Sequence, residues 1–273
     1  MPQFEDFGGK LPFFLRRRQE QQPKQETSSE RLQRFIEFAA SELRQEGIAV
    51  DQNCRIDMEA FAGVYSARVI AEDKQEIERM KEKWQKNIAG EIKDSEEFEK
   101  LKTAIFYKNL RNHFVVARAS RYDDIKNGVD NVIIDKESGA VVCAFDEVGQ
   151  TSGSDYEEKN RRIHEKNVHE RGAKLKYGII FETGGNRPTP KLERLDHIPI
   201  FYLALPPAHI SEGLRKFDPA LEQQSDYEQN LFTFFIASLE QQIQNLELKS
   251  RQLAEPLRTR LSKFSGALKK LKK

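Results

Sequence analysis

Four residues, Lys136-Glu137-Ser138-Gly139, separate two runs rich in β-branched and apolar side chains, residues 129–135 and 140–148. A gap that short predicts an antiparallel hairpin, with Gly139 free to take the positive φ that a tight turn needs. The turn fixes the pairing register to within one residue. A four-residue turn sets Asp130 opposite Phe145, and a five-residue turn sets it opposite Asp146. In either register Asp130 lies beside Asp146 or Glu147 at the open end of the hairpin. Opposed strand residues have Cβ atoms about 5 Å apart, so like charges there repel. Asp123 and Asp124 approach the same end from the preceding segment. A divalent cation, a lysine or arginine, or water must compensate this crowding.

Charged residues make up 33% of the 273 and hydrophobic ones 38%. The charged share exceeds the roughly 25% of an ordinary soluble domain, which predicts long solvated helices or polar ends around a modest core. Residues 1–26 read as a disordered or peptide-like tail, polar from Gln19 to Gln25 and carrying isolated Phe4, Phe7, Phe13 and Phe14. Residues 27–93 read as helical. Thr27 with Glu30 has capping-box spacing, Leu32, Phe35, Ile36, Ala39 and Leu43 follow at helical intervals, and a second stretch spans about 57–87. Residues 94–206 read as an α/β core. Asp94 with Glu97 predicts a helix start, running to about His113, followed by strands at 114–120, 129–135 and 140–148. Ser154 with Glu157 predicts the start of a polar helix that Gly172 stops, then strands at 175–182 and 198–205 joined by a loop. Residues 207–273 read as a helical section with a basic end, in which Asp218-Pro219 looks like a helix start. The expected class is α+β, a helix–three antiparallel strands–helix–strand core with added terminal helices.

No run approaches the roughly 18 apolar residues of a membrane span, so integral membrane association is not expected. Arg16, Arg17 and Arg18 follow the short apolar patch with no hydrophobic segment after them, unlike a signal peptide. Cys54 and Cys143 are too few for a disulfide scaffold, and a cytoplasmic setting is expected. His164 and His169 are five residues apart, about 500° around a helix, so their rings diverge by about 140° and do not pair on a metal. Thr183-Gly184-Gly185-Asn186 lacks the lysine of a phosphate loop. Arg161, Arg162, Lys166 and Arg171 make the helix after the hairpin basic, suited either to a phosphate backbone or to water. Leu257, Leu261, Phe264, Leu268 and Leu271 form an apolar seam in a basic helix. That seam suits nucleic acid, an anionic membrane surface, a helix-mediated protein partner or homodimer, or docking on the chain's own core.

The acids suit Mg²⁺ or Mn²⁺, which take hard oxygen ligands and keep positions for water and phosphate. The order of elements over about 94–206, with acids on the second and third strands, resembles the PD-(D/E)XK nuclease superfamily, or restriction-endonuclease-like fold. The resemblance implies Asp130 and Asp146 as metal ligands, supported by Asp124 and Glu147, with Glu97 as the acid of the first helix. The lysine expected two residues after the second acid is absent, since Val148 and Gly149 occupy those places. Lys174 or Lys176 on a neighbouring element is the implied substitute. The expected function is a metal-dependent nuclease acting on DNA or RNA. The alternatives are a non-catalytic nucleic-acid-binding or assembly protein with a degenerate nuclease-like fold, and a helical interaction protein whose sheet is a scaffold.

Overall fold

In the computed structural model, which describes residues 26–85, 91–148, 152–182 and 188–271, the hairpin forms at the expected turn. Strands β2 (Asn131–Asp135) and β3 (Val141–Val148) pair antiparallel. Gly139 adopts φ 69°, and a Cβ there would sit 2.1 Å from the Phe181 carbonyl oxygen, so no side chain fits. Next to the turn the register is that of a four-residue turn, Ile134 facing Val141. A bulge then skips one residue, so that Ile133 faces Cys143 and Asn131 faces Phe145. One step further out, Asp130 comes abreast of Asp146. The bulge therefore converts the first register into the second before the acids are reached.

Strand β1 (Phe114–Arg118) pairs antiparallel with the other edge of β2, and β6 (Ile200–Ala204) pairs parallel with β3. The sheet order is β1-β2-β3-β6. A parallel neighbour needs a crossover. Helix α4 (Ser154–Val168) and a separate hairpin of β4 (Ala173–Glu182) and β5 (Thr189–Ile198) supply it. Before the sheet come α1 (Ser28–Gln45), a 3₁₀ turn (Met58–Gly63), α2 (Ala67–Gln85) and α3 (Glu91–Leu110). After it come α5 (Pro207–Lys216), α6 (Asp226–Glu247) and α7 (Glu255–Leu271). The class is α+β. No helix among the described residues is long and apolar enough to cross a membrane.

The Thr27–Glu30 capping box forms as expected. Four other expected features are corrected. Helix α3 begins at Glu91, so Asp94 lies inside it. Gly153 occupies the N-cap of α4, and Ser154 is its first residue. Asp218 closes a turn through the Ala220 N–H, 2.8 Å away, while Ser225 and Glu228 form the capping box that starts α6. Residues 189–197, expected as loop, belong to β5, while α5 falls within the stretch expected to be helical. The phenylalanines of the tail, Gly149 and the glycines at 184–185 lie outside the described residues.

Buried side chains from the N-terminal helices, the sheet and the C-terminal helices join one apolar core, including Leu32, Phe106, Phe235 and Leu261. The apolar seam of α7 docks there: Leu257, Leu261, Phe264 and Leu268 are buried, with the Phe264 ring 5.8 Å from that of Phe201. Of the roles open to that seam, docking on the chain's own core is the one it fills. Helix α3 joins the core through charge as well as apolar contact. The buried Lys108 ammonium donates to Glu228 Oε1 at 2.7 Å and to the Gln223 carbonyl at 2.9 Å. Removing one member of such a pair strands the other in low dielectric, at about 3–5 kcal/mol. Glu228→Ala is accordingly expected to lower stability by about 3 kcal/mol in denaturant titrations. The Lys108→Met/Glu228→Leu double variant should lose clearly less than the sum of the two single truncations.

Candidate functional site

The acids at the open end of the hairpin gather because four separate segments deliver them there. Asp130 is the residue before β2, and Asp146 and Glu147 lie on β3. Asp124 sits in a π-helical turn (Asp123–Asn127) whose anchor is its neighbour Asp123. The buried Asp123 carboxylate accepts from Ser120 Oγ and Asn127 Nδ2, both at 2.7 Å, and from the backbone N–H groups of Lys176 and Tyr177. Helix α3 brings Glu99. Carboxylate oxygens of Glu99, Asp124 and Asp130 all lie within 4.8 Å of one another, a spacing that could hold one cation.

Two buried guanidiniums tie this group together. Arg55 donates to Glu99 Oε2 at 2.7 Å and meets Asp124 Oδ2 at 3.0 Å. Arg118 Nε donates to the same Glu99 oxygen at 3.2 Å, and its Nη2 also pairs with it. Arg55 reaches the site because its segment bridges to Arg118 in parallel, with the Arg118 N–H donating to the Cys54 carbonyl at 2.8 Å. Burial alone would keep Glu99 protonated, yet the Arg118 and Arg55 guanidiniums outweigh it and hold its carboxyl below the ordinary range. Asp130 behaves oppositely. Burial first, then the like charges of Asp146, Glu99 and Asp124, push its carboxyl well above the ordinary range. Its Oδ2 accepts from the Glu147 backbone N–H at 2.7 Å.

Lys102 lies one turn along α3 from Glu99 and is fully buried. Its ammonium pairs with Glu147 and stands 5.1 Å from the centre of the Phe145 ring. Burial drives it down to about 7, against the pull of Asp130 and Glu99. Among the described residues, Glu147 Oε2 accepts no hydrogen bond. Asp146 is held from α4, by Lys159 and by Arg162 Nη2 at 2.8 Å. Lys166 donates to the carbonyls of Asn127 and Gly128. Gly128, at φ 58°, permits this approach, because a Cβ there would lie 2.9 Å from Lys166 Nζ and 3.1 Å from Arg162 Nη2. The result is a cleft of about 390 Å³ with acids at its base and Lys159, Arg162 and Lys166 along its rim.

Of the expected site residues, Asp124, Asp130, Asp146, Glu147, Arg162 and Lys166 line this cleft, while Arg161 faces Glu165 on the outside of α4. Asp146 lies beside the three-carboxylate group rather than in it, since its oxygens are taken by α4 cations. Lys174 is exposed on β4, and Lys176 Nζ is committed to Asp73 at 2.6 Å. Neither lysine lines the cleft. Arg171, at φ 64° beyond α4, is not among the described residues lining the cleft, and its carbonyl lies 2.8 Å from the His197 ring Nδ1. Glu97 accepts from Ser29 Oγ at 2.6 Å, and it is Glu99, two residues and about 200° further round the helix, whose carboxylate lies with Asp124 and Asp130. Lys102 lies one helical turn from both Phe98 and Phe106, a sequence sign of its burial, but nothing local shows that it or Glu99 joins the hairpin acids. No family model, no curated protein and no solved structure matches the chain.

Because the folded state raises the Asp130 pKa, it binds that proton more tightly than the unfolded chain does. The associated stability is complete below the unfolded value near 4 and is lost as pH rises through the folded value. Asp130→Asn removes this loss while its amide oxygen can still accept from Glu147. The variant is expected to melt about 2–4 °C above the parent at neutral pH, with the difference shrinking toward about pH 5 in calorimetric scans.

Proposed function

We propose that the chain is a metal-dependent nuclease that hydrolyses phosphodiester bonds in DNA or RNA. The observation that carries this reading is the three-carboxylate group of Glu99, Asp124 and Asp130 at the base of a cleft rimmed by Lys159, Arg162 and Lys166. The order α3, antiparallel β1-β2-β3, α4, parallel β6 also supports it, being the element order of the PD-(D/E)XK nucleases with β4 and β5 inserted before the last strand.

The donors fit a hard divalent cation. They are all carboxylate oxygens, one of them, on Asp130, made harder to ionise by burial and then by its like-charged neighbours, and the adjoining Glu147 has a buried oxygen with no hydrogen bond among the described residues. Asp130 and Asp124 with Glu99 would hold Mg²⁺ or Mn²⁺, and Asp146 would join if its α4 cations turned to a phosphate. When bound, such an ion polarises a phosphoryl oxygen and acidifies water. The side chains do the rest. Arg162, half-exposed, and Lys159 can exchange Asp146 for backbone phosphates. Lys102 takes the place sought for Lys174 or Lys176 as a positioning residue. It neutralises Glu147, and with an ammonium near 7 it can give or accept a proton at Nζ close to neutrality.

Asp130→Asn should reduce Mg²⁺- or Mn²⁺-dependent cleavage of generic DNA and RNA substrates by roughly a hundredfold or more. Circular dichroism would confirm that the variant is folded. Wild type that never cuts with either metal would sink the enzyme. Binding offers a separate check: Arg162→Glu with Lys166→Glu should flatten the log–log salt dependence by about two units, and Arg161→Glu should not.

A second reading, a nucleic-acid-binding or assembly protein without catalysis, draws on the pairing of Glu99 with two arginines and of Asp146 with Lys159 and Arg162. Acids neutralised in this way need no ion. Cleavage decides between the two.

A further inference from the structure

Helix α4 turns one face, Lys159, Arg162 and Lys166, to the acidic cleft and an adjacent face, Tyr156 and Asn160, to a larger pocket of about 950 Å³. Beta strand β6 and helices α5 and α6 complete its walls. In a chain with 33% charged residues, no lysine, arginine, aspartate or glutamate is found among the described residues lining it. Aromatic rings and side-chain amides take their place.

The walls are set before any ligand arrives. Tyr156 and Tyr202 join hydroxyls at 3.0 Å with their rings edge to face, 5.5 Å between centres. Gln242 is clamped on the Tyr202 backbone, accepting from its N–H at 3.1 Å and donating to its carbonyl at 2.8 Å. Phe234 behaves differently, leaving 48% of its surface to water at the pocket edge. The amides of Asn160, Asn230 and Gln241 are likewise exposed there. An open aromatic face beside several exposed amides, with His209 the one ionisable imidazole and no acid, lysine or arginine among the described lining residues, suits a ligand that is neutral, planar and edged with donors and acceptors.

A nucleobase has that chemistry. Aromatic rings stack on any base, and asparagine and glutamine pair with base edges. Adjacent faces of one helix also put the pocket within roughly a helix diameter, 10–12 Å, of the basic rim. In duplexes the bases are stacked and paired, so a base can enter only from a single strand or after being turned out. We propose that this pocket receives an unpaired base of a nucleic-acid strand whose phosphates lie along Lys159 and Arg162. The inference rests on the nucleic-acid reading above and gives it a preference for single-stranded substrate.

The test measures binding in EDTA, so that no outcome depends on cleavage. Fluorescence anisotropy would compare a single-stranded 12-mer, its duplex and an abasic 12-mer with the same phosphates. The base-bearing single strand is expected to bind about tenfold more tightly than the abasic one, the worth of one stacked base. Phe234→Ala should erase that difference and leave the abasic affinity unchanged, while Phe234→Trp should preserve it. Equal affinity for base-bearing and abasic strands would overturn the inference, even if the protein cuts. So would a pocket that binds free adenosine, by ligand-detected NMR, without any preference among strands, or one that binds a neutral peptide and no base. A preference for bases in a protein that never cuts would uphold the inference while the nuclease reading falls.

Discussion

A charge withdrawn from water must be met by another charge, and α3 carries three into the core. Glu99, Lys102 and Lys108 are all buried, and each is answered from a different part of the chain. Arg55 and Arg118 answer Glu99, Glu147 answers Lys102, and Glu228 answers Lys108. The three contacts tie the helix to the N-terminal segment, to the third strand and to α6 in turn. Desolvation makes such pairs poor sources of net stability, since burial cancels much of the attraction. Their effect is on arrangement: an alternative packing that separated any partner would leave a bare charge in low dielectric.

That constraint also shapes the cleft. Helix α3 delivers Glu99 and Lys102 one turn apart, so the same face that organises the core supplies an acid and a cation to the hairpin's open end. The opposing shifts of Glu99 and Asp130 follow from position. Both are buried, but Glu99 lies against two guanidiniums that outweigh burial, whereas at Asp130 burial and then the charges of Asp146, Glu99 and Asp124 prevail. Two acids within 4.8 Å of each other therefore differ in their hold on a proton. Pairs whose surroundings separate their protonation are the kind of arrangement on which acid–base chemistry is built.

What the sequence made legible was local. The four-residue turn, the Thr27 cap and the β-branched runs of β1 to β3 each depend on neighbours in the chain, and each formed as read. Strand β5 was hidden because only Leu195 and Ile198 of its ten residues are buried, so it shows no apolar alternation. Asp218-Pro219 imitated a helix start, and Ser225 with Glu228 prevailed because Glu228 also serves Lys108. Among the site residues, Asp130, Asp146 and Glu147 could be brought together from the hairpin alone. Glu99, Lys102, Arg55 and Arg118 could not, because their roles depend on how distant segments pack. The bulge beside Ile133 belongs to the same class: it follows no turn residue or glycine in the sequence, yet it decides which residue stands abreast of Asp130.

Strand β3, which carries Asp146 and Glu147, is hydrogen-bonded along both edges, to β2 on one side and β6 on the other. Fraying starts where backbone is bonded on one side or exposed, and the last amides to exchange with solvent are those of internal strands. These two acids are thus attached to the slowest-opening part of the molecule. Apart from the edge strand β6, the walls of the aromatic pocket belong to helices, held to the sheet by side-chain contact. The two sites would then part company on a kinetic scale, the pocket breathing through partial openings that leave the acids in register until the whole fold gives way.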